Sequence, residues 1–263
     1  MTRIVGIFLL KNEDRFVAQA VRNVTRFCDQ IIIADNGSTD GTWNLLQDLG
    51  EKYSHIELHR IKRPSESHDL ISSLAGTETW VFGVDGDEIY DPEGLDRFRP
   101  SLLSGRYDDA WAIFGNVLNV TWLSDDGSHA KGYLAAPSRS ITKLYNFAAI
   151  ESWDGPCPER LHGGNPIFRD GYSASKRLDL HSMNSWEQAD LRCLHLCFIP
   201  RSSRDTRTAT RRNPAELMAR GLRGRVMDVF RSLQRREPIS DWKREKYMRG
   251  ELVNKDTVSF FSK

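Results

Sequence analysis

Three acids crowd the end of Trp80-Val-Phe-Gly-Val-Asp-Gly-Asp-Glu-Ile-Tyr90: Asp85, Asp87 and Glu88. Carboxylates gathered at one point repel one another unless a cation lies between them. Hard oxygen donors of this kind suit Mg²⁺ or Mn²⁺, ions that bridge protein carboxylates and substrate phosphates. The preceding run, Trp80 to Val84, is apolar and rich in β-branched and aromatic residues, with glycines at Gly83 and Gly86. That composition predicts a short buried strand delivering the acids at its end. A plain polar turn has the same composition, because Asp and Gly are the commonest turn formers. The metal reading therefore depends on what the rest of the chain supplies.

The elements that position these acids follow from periodicity. Ile4–Leu10 reads as a first strand, and Asp14–Phe27 as an amphipathic helix with Phe16, Val17, Ala20, Val21, Val24 and Phe27 on one face. Gln30–Ala34 reads as a strand buried on both faces, running into the turn-rich Asp35-Asn-Gly-Ser-Thr-Asp-Gly-Thr42. Ser38 or Thr39 is a candidate cap for a helix over Gly41–Leu49. A weaker strand over Ile56–Ile61 and a short helix over Ser67–Leu74 lead to the Trp80–Val84 strand. Strands alternating with helices through short links predict a parallel sheet, whose ligands bind beyond the carboxyl ends of the strands. Those ends carry Lys11-Asn12-Glu13, Asp35-Asn36, Arg60 to Arg63 and Asp85-Gly86-Asp87. Acids and bases mixed on one rim are what a metal-bridged phosphate ligand requires.

The second half is less regular. Asp109–Leu118, Ser140–Phe147 and Leu191–Ile199 read as strands, Val117–Gly132 as a long hairpin or acceptor loop, and Trp153–His162 as a proline-flanked loop. A helix is expected after Pro200, with Leu217, Leu222, Val226, Val229, Phe230 and Leu233 as its apolar positions. On the last predicted strand Cys193, His195 and Cys197 alternate onto one face. They span about 13 Å at roughly 3.3 Å per residue, too far for one zinc with bonds of about 2.0–2.3 Å. The cysteines are expected to pack, and His195 is left as a single metal ligand or a core histidine.

The chain has 263 residues and a net charge of +1, but the charge is unevenly spread: residues 201–263 hold 17 Lys/Arg against 8 Asp/Glu. A basic tail of this kind meets phosphates on a membrane surface or a nucleic acid, or else is a solvated helix. The apolar run Ile4–Leu10 is far short of the roughly 20 residues that span a bilayer. Lys11-Asn-Glu-Asp14 follows it without a small-residue cleavage site, so a strand is expected there rather than a signal peptide. Four scattered cysteines do not make a disulfide scaffold, and a cytoplasmic protein with reduced thiols is expected, peripheral at a membrane if the tail binds one.

Three pieces, in order and spacing, resemble the family 2 glycosyltransferases of the GT-A fold: the strand entering Lys11-Asn12-Glu13, the segment Ile31-Ile-Ile-Ala-Asp35-Asn-Gly-Ser-Thr-Asp-Gly-Thr42, and Asp85-Gly-Asp87-Glu88 as the family's DXD site. Lys143-Leu-Tyr, the Pro158-Glu159 loop and Leu194-His195-Leu match more loosely. The resemblance implies an α/β fold with a mixed, mainly parallel sheet flanked by helices. It assigns 1–200 to the transferase domain (1–100 the nucleotide-binding half, 101–200 the acceptor-binding half) and 201–263 to a basic, mainly helical extension. It also implies a hexosyl or related sugar transferase using a nucleotide-diphosphate sugar of UDP, GDP or dTDP type, Mn²⁺ or Mg²⁺, and a saccharide, lipid-linked or other hydroxyl acceptor. Asp35 would meet the base and Leu9, Lys11, Asn12 and Asn36 would line its pocket. Asp85 and Gly86 would lie beside the ribose; on electrostatic grounds Arg63 is a candidate to face the diphosphate, or else a surface arginine. Asp87, with Asp85 and His195, would hold the metal. Family 2 enzymes invert, so a carboxylate must take the acceptor's proton; Glu159 is favoured and Asp154 is the alternative. The family often has two acids before Asn-Gly-Ser, whereas here Ala34 occupies the first place.

Two other readings compete. A nucleotidyltransferase of related fold would want a Gly-rich loop after the first strand, and Lys11-Asn-Glu-Asp-Arg15 has no glycine. A non-catalytic nucleic-acid module would use the tail and leave the acidic rim idle. Trp111, Trp122, Tyr133 and Trp153 are candidates for an acceptor platform or for core. Arg201, Arg204, Arg207, Arg211 and Arg212 are a candidate lid.

Overall fold

The computed structural model describes residues 2–135, 143–205 and 246–262. The first half alternates as the periodicity predicts. The elements are β1 (Arg3–Leu10), α1 (Val17–Val24), β2 (Gln30–Asp35), α2 (Thr42–Lys52), β3 (Ile56–Arg60), α3 (Glu66–Ser72) and β4 (Thr79–Val84), followed by β5 (Glu88–Tyr90) and α4 (Pro92–Leu103). Then come β6 (Ala112–Phe114), β7 (Asn116–Leu123), β8 (His129–Ala135), β9 (Lys143–Asn146), β10 (Ile150–Asp154), β11 (Asn165–Phe168), β12 (Arg177–Asp179) and β13 (Arg192–His195). After the undescribed segment 206–245 follow β14 (Glu251–Asp256) and α5 (Val258–Phe261).

A seven-stranded sheet runs β12-β6-β9-β4-β1-β2-β3. β4, β1, β2 and β3 are mutually parallel neighbours, whereas β9 runs antiparallel to both β4 and β6. The strands of the parallel block bury both faces. Ile4, Phe8, Ile31, Ile33, Trp80 and Phe82 point into the core beneath α1, α2 and α4. Val5, Ile7, Ile32 and Val81 join Ile71 of α3 on the other face. Each such side chain contributes about 1.5–3 kcal/mol on burial. This is the α/β, mainly parallel sheet flanked by helices that the resemblance implies.

A second sheet, β14-β8-β7-β13-β5, abuts the first. The predicted Asp109–Leu118 strand is in fact two strands, one in each sheet, divided at Gly115. A Cβ there would lie 2.1 Å from the Leu191 carbonyl oxygen, so only glycine allows the chain to cross at that point. The predicted Leu191–Ile199 strand ends early, at His195. The next amide, Leu196 N–H, turns to donate to the Asp87 carbonyl at 2.8 Å, which takes Cys197 out of the alternation.

The expected C-terminal helix with Leu217 to Leu233 falls on undescribed residues. Beyond them lie a strand, β14, and the short helix α5. β14 pairs antiparallel with β8, and Phe260 of α5 is fully buried in the main core. The buried amide of Asn23 on α1 donates to both Tyr90 O (2.7 Å) and Phe260 O (2.8 Å), tying this end to the body.

Candidate active site

β4 delivers the acids to the carboxyl rim of the parallel block. Asp87 and Glu88 are almost completely buried, and Glu13 from the turn after β1 joins them. Gly86 leaves room for this packing: a Cβ there would sit 1.9 Å from Glu13 Oε2 and 2.8 Å from Leu10 Cδ2, so those side chains would have to shift. Glu88 reaches back to accept the Asp85 N–H at 3.1 Å. So many buried carboxylates need compensating cations, and two arginines from distant segments supply them, Arg160 buried and Arg201 mostly so. Arg201 pairs with Asp87 and, at 3.5 Å, with Glu13. Arg160 pairs with Asp85. Burial opposes the charge of each guanidinium, but the facing carboxylates outweigh it and hold both above the ordinary arginine pKa.

His195 arrives beside Asp87 through the second sheet, where its backbone is paired with Glu88 and Asn119. Its Nδ1 lies 2.9 Å from Asn119 Oδ1. An amide oxygen only accepts, so Nδ1 carries the proton. Nε2 then faces Asp87 Oδ2, 3.7 Å away. A histidine oriented through one ring nitrogen by an outer partner, with the other ring nitrogen directed toward a carboxylate, is the arrangement of a metal ligand. Among the described residues no group of three or more His, Cys, Asp and Glu could hold a metal by itself. The donors present therefore fit an ion that keeps one carboxylate and one imidazole and draws the rest of its shell from phosphate and water, as Mg²⁺ and Mn²⁺ do. Cys193, on the same strand face, is fully buried, and burial pushes its thiol well above the ordinary range. It packs, as expected.

The loops after β1 and β2 interlock beside this cluster. Asn12 adopts a left-handed conformation (φ 55°) that asparagine tolerates better than most residues. Its N–H donates to Ser38 Oγ at 2.9 Å and its Oδ1 accepts from Thr39 N–H at 2.7 Å. Ser38 and Thr39 thus join the two loops and do not cap α2 as predicted; the helix N-cap is Gly41, without a side-chain cap. Asp35 is fully buried, accepts the Ser38 N–H at 3.2 Å and lies 3.5 Å from Arg60 Nε. That guanidinium covers the Trp43 ring at 4.5 Å. Leu9, Lys11 and Asn36 are half-buried around the same turns. Arg63 is turned elsewhere: 77% exposed, it pairs with Glu66 at 3.1 Å within its own turn, where the short i,i+3 spacing captures it.

The segment just after Pro200 straps these loops. Ser202 Oγ donates to Asp40 Oδ2 at 2.5 Å, Ser203 N–H to Asp14 Oδ1 at 2.6 Å and Arg204 Nη1 to Thr39 Oγ1 at 2.8 Å. Of the candidate lid arginines, Arg201 and Arg204 therefore lie on the rim; Arg207, Arg211 and Arg212 fall outside the described residues.

The two candidate bases differ in setting. Glu159 is 17% exposed and meets His162 Nδ1 at 2.6 Å across a tight turn. It immediately precedes Arg160, so it adjoins the Asp85 ion pair. Asp154 is exposed at the end of β10, in a separate two-stranded hairpin. Of the aromatic candidates, Trp111 is core, packed on Tyr145, Trp153 and Phe168. Trp153 is half-buried against it. Tyr133 shares the sheet row of His195 and Asn119, and Trp122, 52% exposed, lies farther out on β7.

Sequence reasoning missed Glu13, Arg160 and the pairing of Arg201. Glu13 sat inside a recognised motif piece and had only to be assigned a role. Arg160 follows a candidate base, which is its only signal. Arg201 was counted with the basic tail.

Comparison with known proteins supplies the remaining observation. A family model described as "Glycosyl transferase family 2" matches residues 7–173. An uncharacterised glycosyltransferase of Rickettsia typhi is 26% identical over 149 residues, 56% of this chain and 47% of its own. One from Rickettsia bellii is 24% identical over 150 residues, 56% of this chain and 47% of its own. The chain thus spans about half the length of the curated relatives it matches. Among solved structures, the mannosyltransferase PcManGT from Pyrobaculum calidifontis is similar with a TM-score of 0.44 at 12% identity, covering 74% of this chain and 57% of that one. S. aureus TarS is similar with a TM-score of 0.39 at 15% identity, covering 56% and 29% respectively.

Proposed function

The chain belongs to glycosyl transferase family 2, and from that premise we propose a metal-dependent, inverting transfer of a sugar from a nucleoside-diphosphate donor to an acceptor hydroxyl. The observation that carries the proposal is Asp87 with the Nε2 of His195 facing it at 3.7 Å, on the rim beside the interlocked loops after β1 and β2. In this reading the nucleotide lies across those loops. Leu9, Lys11, Asn12 and Asn36 line the base pocket, Asp35 is the carboxylate at its floor, and Asp85 and Gly86 adjoin the ribose. Asp87 and His195 would hold Mn²⁺ or Mg²⁺, which when bound neutralises charge on the departing diphosphate.

The acceptor oxygen attacks the anomeric carbon on the face opposite the diphosphate. The new C–O bond forms as the bond to the phosphate oxygen breaks, and the nucleoside diphosphate leaves with that electron pair. The acceptor's proton passes to a Glu159 carboxylate oxygen. Glu159 is favoured over Asp154 because its turn is braced by His162 and adjoins Asp85, whereas Asp154 stands exposed on a side hairpin. Arg201, on releasing Asp87, would offer a cation to the diphosphate oxygens. Four free, buried cysteines suit a reducing, cytoplasmic compartment, and no helix among the described residues is long and apolar enough to cross a membrane. Calorimetric titration with UDP, GDP, dTDP and CDP, with and without Mn²⁺, tests the donor site. Binding of one nucleotide that needs both metal and Asp87 supports the proposal, and failure of all four under every metal condition rejects it.

A further inference from the structure

Arg160 is an expensive residue to place where it lies. Its side chain has no exposed surface, and among the described residues it forms an ion pair with Asp85, whose own side chain is 31% exposed. Nε and Nη1 are buried without a hydrogen-bond partner among the described residues. Stability alone does not call for a charged side chain here, since replacing a buried ion pair by apolar residues of similar volume is often neutral or stabilising.

The backbone of the same residue is gripped by the start of α3. Arg160 N–H donates to Ser67 Oγ at 3.0 Å, and the Arg160 carbonyl accepts from His68 Nδ1 at 2.8 Å. Both anchors are themselves fixed. Ser67 Oγ donates to the Pro64 carbonyl at 2.5 Å, and His68 packs edge-on against Trp153 with ring centres 5.5 Å apart. One residue therefore connects α3, the carboxylate at the end of β4 and, through its peptide bond, Glu159.

We propose that Arg160 is a positioning residue whose guanidinium sets Asp85 in the orientation that receives the donor and ties the Glu159 turn to it, so that donor binding orders the acceptor side. The proposal rests on reading this rim as the donor site. It predicts a coupling that a structural arginine would lack.

The test is calorimetric titration of UDP, GDP, dTDP and CDP with Mn²⁺ into wild type, Asp85→Asn, Arg160→Met, Arg160→Lys and the double variant Asp85→Asn/Arg160→Met. For the nucleotide that wild type binds, each single neutral substitution weakens binding at least tenfold, and Arg160→Lys recovers part of the loss. The double variant binds no more weakly than the weaker single one, because both remove the same interaction. In wild type, nucleotide also slows amide exchange over residues 156–164, and in Arg160→Met it does not. The double variant keeps the test open if Arg160→Met alone fails to fold, since it leaves no unpaired buried charge. Binding by Arg160→Met or Arg160→Lys within twofold of wild type, or strictly additive losses in the double variant, overturns the proposal while leaving the donor site intact. No binding by wild type overturns the donor reading and this proposal with it.

Discussion

Arg201→Met should tighten the binding of Mn²⁺ in the absence of nucleotide, although the residue lies far along the chain from the acids it serves. Arg201 holds Asp87 and lies 3.5 Å from Glu13, so an incoming ion must displace it. Two unit charges about 4 Å apart interact by about 4 kcal/mol at an effective dielectric of 20. Because the freed guanidinium swings away and keeps part of its attraction to Glu13, the relief on removing it is smaller, about 1–3 kcal/mol. That is roughly a 5–150-fold gain in metal affinity. Without metal the same variant removes one partner of Asp87 and of Glu13, a loss of up to about 3–5 kcal/mol of stability. Manganese at 100 times its dissociation constant returns about 2.7 kcal/mol. The assay is titration of Mn²⁺ followed by loss of its free paramagnetic resonance signal, with thermal melts at each concentration. Arg201→Met/Glu13→Gln, which also removes one of the two acidic charges Arg201 faces, serves if the single variant melts too low. Equal Mn²⁺ affinity in wild type and variant, or a variant melt that ignores Mn²⁺, would refute the competition.

Four further outcomes follow from the same geometry. Gly86→Ala should destabilise by about 1–3 kcal/mol through overpacking against Glu13 Oε2, and Glu13→Ala in the same chain should return part of it; an unchanged melting temperature in Gly86→Ala contradicts the packing. Asn119→Ala, which frees the ring of His195, should weaken Mn²⁺ binding about 10–100-fold with the fold retained, read by the same resonance titration. Glu159→Gln should lower turnover about 10²–10⁴-fold at nearly unchanged nucleotide affinity, while Asp154→Asn stays within a few-fold; the reverse ranking in single-turnover assays would transfer the base to Asp154. Burial pushes the Asp40 carboxyl up, but hydrogen bonds from Ser202 and Thr42 outweigh it and hold its pKa below the usual carboxylate value. A folded pKa lower than the unfolded one contributes stability present above the unfolded value of about 3.9 and lost as pH falls through the folded one. Melting curves from pH 6 down to pH 2 should therefore show a shallower acid limb in Asp40→Asn than in wild type.

Much of this site was legible in the chain because it is encoded locally. Alternating apolar runs in Ile4–Leu10, Gln30–Ala34 and Trp80–Val84 specify strands buried on both faces, and β-strands separated by helices pair in parallel by simple connection rules. Once the strands are parallel, Lys11-Asn12, Asp35-Asn36 and Asp85-Gly86-Asp87 must share one rim, and they do. Chain order alone could not say which charges meet across that rim. Asp85 and Arg160 are 75 residues apart, and Asn119 and His195 are 76 apart; no local period links such pairs. By sequence Arg201 is one of several candidate lid arginines on a basic segment, and Arg63 is either a phosphate contact or a surface arginine. The structure pairs exposed Arg63 with Glu66 and places Arg201 against Asp87 and Glu13, because buried acids draw in a cation. The sequence by itself determined the parallel sheet and the set of acids at its edge. The tertiary structure alone decided the counter-ions, the ring orientation of His195 and the close packing at Gly86, since each is a contact between residues that only folding brings within a few ångströms.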